Sequence, residues 1–119
     1  MADQGLGAME SRFADMIWEL EPVSSSELVR RAAEELDWKK STTYTVLKRL
    51  GERGLFQNSG GVVTALISRE EYYAQRSERF VQESFSGSLP AFMAAFASRK
   101  RLSEQEIDEL QALIDKMRG

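Results

Sequence analysis

Between Leu55 and Ile67 the chain leaves helical periodicity for a short extended pattern, and that switch constrains the fold more than any other feature. Leu55-Phe56-Gln57 reads as one strand, Asn58-Ser59-Gly60-Gly61 as a turn and Val62-Val63-Thr64-Ala65-Leu66-Ile67 as a second strand. The β-branched run carries no charge, so it is expected half buried against what precedes it. Three short helical segments come first. Leu6, Met9, Phe13, Met16, Ile17 and Leu20 recur in steps of three and four, and Glu21-Pro22 ends that face. Ser24-Ser25-Ser26-Glu27 has the form of a capping box, opening a helix that turns Leu28, Val29, Ala32, Ala33 and Leu36 inward before stopping near Asp37-Trp38. Ser41 or Thr42 is placed to cap a third helix, with Thr43, Val46, Leu47 and Leu50 inward and Gly54 as its left-handed end. Three helices with a tight second connection are a helix-turn-helix, and a hairpin directly behind them makes a winged helix.

The remainder reads as helices. Ser68-Arg69-Glu70-Glu71 opens a fourth, Ser86-Gly87-Ser88 breaks it, and Pro90 suits a new first turn. The run 91–97 is apolar nearly all round, so it is expected to be enclosed on several sides. Ser103-Glu104-Gln105-Glu106 opens a last helix with Ile107, Leu110, Ile114 and Met117 on one face. The expected organisation is mainly α with a small β-hairpin wing: a winged helix over 1–67 and a helical dimerisation tail over 68–119. Fifty-two residues of helix bury too little surface to close a core alone. Pairing with a second copy is therefore expected, through Tyr73, Phe80, Phe85, Phe92, Phe96, Ile107, Leu110 and Ile114. Tyr72 and Tyr73 are expected to pack between the two halves.

Composition narrows the function. The chain has no cysteine and no histidine, which removes disulfides, thiol nucleophiles, imidazole bases and thiolate or imidazole metal sites. No cofactor is implied, the carboxylates form no pair suited to acid–base work, and an enzyme is not expected. No apolar run of about 18 residues exists to insert in a membrane. The opening MADQGLGAMES lacks the layout of a secretory signal, so a cytoplasmic protein is expected. Net charge is −3, yet Lys39, Lys40, Lys48, Arg49 and Arg53 face the single acid Glu52, a local +4. A local cationic face is what phosphate contact needs, whatever the total charge.

The run Trp38-Lys39-Lys40-Ser41-Thr42-Thr43-Tyr44-Thr45-Val46-Leu47-Lys48-Arg49-Leu50-Gly51-Glu52-Arg53-Gly54-Leu55 resembles the recognition-helix signature of the penicillinase-repressor (BlaI/MecI-type) family. Leu6-Gly7-Ala8-Met9-Glu10, Ile17-Trp18, Ser68-Arg69-Glu70-Glu71-Tyr72 and Leu102-Ser103-Glu104-Gln105-Glu106-Ile107 are similar to that family's flanking motifs. The resemblance implies a dimeric repressor binding double-stranded operators of approximate dyad symmetry, released when a membrane sensor-protease clips the tail. The family's clipped Asn-Phe bond matches Ala95-Phe96 here, a departure at its first residue. Its copper-responsive branch needs C-terminal cysteines, which this chain lacks. Family wings carry basic and aromatic residues after a glycine, where this chain has Val62-Val63-Thr64.

In a winged helix the third helix, about 41–53, enters the major groove. Thr42, Tyr44, Thr45, Lys48 and Arg49 are then its exposed positions, and Lys39 and Lys40 face the DNA backbone. Arg49 could instead pair with Glu52 three residues on, and Trp38 is expected to anchor the core. The leading expectation is a sequence-specific repressor, controlling a resistance or stress operon. Its rivals are a protein-interaction module that docks a partner on the uncharged wing, and a repressor sensing a small molecule among Phe92, Met93 and Phe96.

Overall fold

A computed structural model of the chain describes residues 5–119. The first four residues of the MADQGLGAMES stretch lie outside the described residues. The elements run α1 (Ala8–Leu20), β1 (Val23–Ser24), α2 (Ser25–Leu36), α3 (Lys40–Glu52), β2 (Phe56–Ser59), β3 (Val62–Ala65), α4 (Arg69–Phe85), α5 (Leu89–Arg99) and α6 (Glu104–Met117). This is a winged helix followed by further helices. No helix among the described residues is long and apolar enough to cross a membrane. Contacts divide the chain into one unit ending at Arg76 and a second over Ser77–Gly119.

In the first unit the apolar stripes meet in one core. Phe13, Ala14 and Ile17 of α1, Leu28 and Ala32 of α2, and Leu50 of α3 are fully buried, with Phe56 and Val63 beneath them. Burial of side chains of this size contributes about 1.5–3 kcal/mol each for the larger ones. Thr43 is the buried polar member of α3, and its hydroxyl donates to the carbonyl of Lys39 at 3.4 Å. Trp38 is half-buried, its ring 5.1 Å from that of Phe13, and so packs at the edge of this core.

Several local expectations are corrected. Ala33 is exposed and Val29 only half-buried, because α2 turns a narrow Leu28-Ala32-Leu36 stripe inward. Neither Ser41 nor Thr42 caps α3: the helix starts at Lys40 behind Lys39, with no side-chain cap. The hydroxyls of Thr43 and Thr45 fold back instead onto the carbonyls of Lys39 and Ser41. The hairpin turn is confined to Gly60-Gly61, both at positive φ (61° and 85°), so Asn58 and Ser59 belong to β2. β3 stops at Ala65 rather than Ile67, whose carbonyl accepts the Trp18 indole N–H at 3.0 Å.

The hairpin also gains a third strand. β1 pairs antiparallel with β3 (Val23 with Val63, Ser24 with Val62), giving the order β1-β3-β2. Two residues after a proline, the second of them a serine cap, are too few to carry a strand pattern. Ser24 is at once the end of β1 and the cap of α2, its hydroxyl accepting the Glu27 N–H at 3.1 Å. The other half of that box does not form, because both Glu27 oxygens engage Arg30, which holds the Glu27 carboxyl below its ordinary range. Ser24→Ala should therefore lower stability by about 1 kcal/mol, read as a shift in urea midpoint.

Tyr72 and Tyr73, expected between the two halves, both belong to the first unit. Tyr72 is buried in the first unit's core, 5.7 Å from Trp18, and Tyr73 packs on Tyr72 with the Arg69 guanidinium 4.7 Å above its ring. Arg69 also pairs with Asp15 of α1 at 2.9 Å. The contact boundary consequently falls after Arg76 rather than after residue 67.

The second unit joins the end of α4 to α5 and α6. Ser86 and Gly87, both at positive φ, break the helix, and the Ser88 hydroxyl caps α5 by accepting the Ala91 N–H. The Ser103 box is complete: Glu106 N–H to the Ser103 hydroxyl at 3.1 Å, Ser103 N–H to the Glu106 carboxylate at 3.0 Å. Phe80, Phe85 and Phe92 form a ring cluster at 5.6–6.0 Å, extended by Phe96. The described residues of the chain do not supply the expected enclosure of 91–97. No residue of α5 or α6 is buried, and Phe96, Ile107, Leu113 and Ile114 each keep 43–53% of their surface exposed. Three helices cover only the sides they turn to one another, and this unit holds too few residues to do more.

Candidate nucleic-acid interface

α3 amortises its two faces differently. Thr43, Val46, Leu47 and Leu50 face the core, while Ser41, Thr42, Tyr44, Thr45, Lys48, Arg49 and Glu52 are exposed. Steps of four, three and four put Ser41, Thr45, Lys48 and Glu52 along the middle of the outer face. Tyr44 and Arg49 lie on opposite flanks. Lys39 immediately precedes the helix and Lys40 begins it.

The flanking residues are tied down. The Tyr44 hydroxyl donates to Ser25 at the start of α2 (3.3 Å), and the Ser25 N–H donates to the Gly61 carbonyl at 2.8 Å. Through these two bonds α3, the start of α2 and the hairpin turn hold one another. On the other flank Arg49 does not take Glu52. Its Nη1 bonds Glu10 of α1 at 3.0 Å, and Arg53 Nη1 donates to the Gly5 carbonyl at 3.0 Å. Two of the five cations in the segment are thus engaged inside the unit. Lys39, Lys40 and Lys48 form no ion pair among the described residues.

These bonds restrict the chemistry on offer. The Thr45 hydroxyl already donates to the Ser41 carbonyl at 2.9 Å, leaving it an acceptor and a methyl group rather than a phosphate donor. Lys48 carries a compact charge at mid-face. Arg49 keeps its Nε and Nη2 N–H groups, since only Nη1 is used. The hairpin adds no charge between Leu55 and Ile67, and it exposes Gln57, Asn58, Ser59 and Val62. Sequence reasoning missed Ser41 and Glu52 on the outer face. Helical spacing from Thr45 and Lys48 would have found both. The Glu10–Arg49 pair spans 39 residues of sequence and left no local signal.

The residues expected to pair two copies are mostly together. Phe80, Phe85, Phe92, Phe96, Ile107, Leu110 and Ile114 all lie in the second unit, whereas Tyr73 lies in the first. Phe92, Met93, Phe96, Leu102, Leu110 and Leu113 line a groove of about 560 Å³ between α5 and α6. Ala95-Phe96 is inside α5, with the Ala95 carbonyl accepting the Ser98 hydroxyl at 2.7 Å.

Comparison with known proteins agrees with this layout. The sequence profile of the penicillinase repressor family matches residues 6–116. The methicillin resistance regulatory protein MecI of Staphylococcus aureus is 22% identical over 115 residues, covering 93% of this chain and 94% of its own. The penicillinase repressor of Bacillus licheniformis is 26% identical over 104 residues, 84% of this chain and 81% of its own. A match that starts just before α1 and ends in the last turn of α6 leaves no element out, and the chain belongs to the penicillinase repressor family.

Proposed function

We propose that the chain is a homodimeric, sequence-specific DNA-binding repressor that inserts α3 into the major groove and acts by occluding its operator. The observation that carries this is the outer face of α3, where Thr42, Thr45 and Lys48 are exposed on a helix whose opposite face is built into the core. Lys39, Lys40 and Lys48 supply phosphate contacts and hence affinity. Thr42, Thr45 and Arg49 meet base edges, and Tyr44, its hydroxyl held by Ser25, offers a ring edge to sugar or backbone. The exposed apolar face of the second unit pairs with its copy, so that two heads reach half-sites about one helical turn apart. The names of the relatives point to a resistance operon as the target. Release by a membrane sensor-protease at Ala95-Phe96 would require α5 to unwind there, because proteases take extended chain.

The test is a pair of exposed substitutions that leave the core untouched. Lys48→Ala should weaken binding to all duplexes alike and reduce the slope of log K against log salt by about 0.9. Thr45→Ala should cost about 1 kcal/mol on the preferred site and little elsewhere. Wild-type affinity and salt slope in both variants would remove α3 from the interface. The uncharged hairpin, with Val62 and Leu66 about half exposed, favours a second reading in which it docks a protein partner. That reading predicts no steep loss of DNA affinity between about 50 and 200 mM salt.

A further inference from the structure

Arg49 differs from Lys48, its neighbour on α3, in having its charge matched before any ligand arrives. Its partner, Glu10, is held from two sides. Glu10 Oε2 takes Arg49 Nη1 at 3.0 Å, and Glu10 Oε1 accepts the Gly7 N–H at 3.3 Å, closing the first turn of α1. The Glu10 side chain keeps 22% of its surface exposed and that of Arg49 keeps 55%. The carboxylate is therefore an anchored post, and the guanidinium leans outward from it. Arg49 Nε and Nη2 are not engaged by the described residues.

Two physical effects follow from that arrangement. A guanidinium beside a carboxylate has little net charge to exchange for condensed counterions, so it adds little to indiscriminate phosphate attraction. Its long side chain is also already ordered, and a pre-ordered planar fork selects by hydrogen-bond geometry, as in a bidentate contact to a guanine edge. An ion pair this exposed adds little to folding stability, so support of the fold does not account for it. Resting on the reading of α3 as the DNA-contacting helix, we infer that Glu10 is a specificity-determining positioning residue: it presents Arg49 to base edges and withholds it from general phosphate binding.

Glu10→Gln tests this in the full chain. The glutamine carbonyl still accepts the Gly7 N–H, so α1 keeps its cap while the charge is lost. Affinity is measured across a salt series on a duplex recovered by in-vitro selection and on a shuffled duplex of the same composition. The variant should bind the shuffled duplex more tightly, with the salt slope steeper by about 0.9, and its ratio of selected to shuffled affinity should fall about tenfold. In an Arg49→Gln background the same change should do nothing. Unchanged slope and ratio in Glu10→Gln would overturn the inference, as would an effect of equal size in the Arg49→Gln background, which would mean Glu10 acts through its own charge. Wild-type protein that binds neither duplex would overturn the DNA-binding reading itself, and this inference with it.

Discussion

Ile114→Lys should convert the proposed dimer to monomer and weaken binding to a two-half-site operator by about 10²–10⁴-fold, while leaving each chain folded. Ile114 is 49% exposed in the single chain and no part of a buried core, so its replacement removes little internal packing. It lies in the last turn and a half of α6, where a cation complements the helix dipole and the helix itself tolerates the change. What the lysine alters is the apolar face that includes Ile107, Leu110 and Leu113. Burying its ammonium between two copies would place a charge, and its symmetry mate, in a low-dielectric interface. With the link between heads gone, the second half-site no longer gains from the first, and the lost effective concentration sets the size of the effect. Sedimentation equilibrium reads the mass and fluorescence anisotropy the affinity. A variant that stays dimeric would move the interface off this face of α6.

Phe56→Ala should destabilise the first unit by about 3–5 kcal/mol. Phe56 is 1% exposed, begins β2 opposite Ala65, and packs with its ring 5.0 Å from that of Trp18 of α1, tilted by 54°. It is thus the point at which the hairpin is fastened to the helices, and truncation leaves a cavity that neither a strand nor a helix can collapse into. A unit of this size has a total stability of roughly 4–11 kcal/mol, so the loss is a large share of it. The chain's two tryptophans, Trp18 and Trp38, both lie in this unit, so their fluorescence during urea unfolding follows it without interference from the helical tail. An unchanged midpoint would mean that the hairpin is not part of the cooperative core.

The elements of the first unit were legible because each has a local cause. The 3.6-residue stripes of α1 to α3, the glycine at 54 and the uncharged run after Gly61 all encode structure within a few residues of themselves. β1 was not legible, because two residues hold no period and exist as a strand only through pairing with Val62 and Val63. The expected start of α3 was late for a similar reason. Ser41 and Thr42 are good caps by type, yet the helix begins at Lys40, and the hydroxyls of this segment turn back on its own carbonyls.

In the candidate interface, exposure of Thr42, Tyr44, Thr45, Lys48 and Arg49 followed directly from the spacing of Thr43, Val46, Leu47 and Leu50. Their partners did not. Ser25 meets Tyr44 and Glu10 meets Arg49 only after three helices have packed, so i, i+3 reasoning reached for Glu52 instead. The apolar run 91–97 misled in a different way. Hydrophobicity all round a helix states that something covers it, but not whether the cover comes from the same chain. Nothing in α5 is buried within a single copy.

The most direct test of a dimeric repressor reading DNA through α3 is in-vitro selection of random duplexes by the full-length protein at moderate salt. The expected result is enrichment of a dyad-symmetric site whose half-sites lie about one helical turn apart. A folded protein that enriches no site would contradict it.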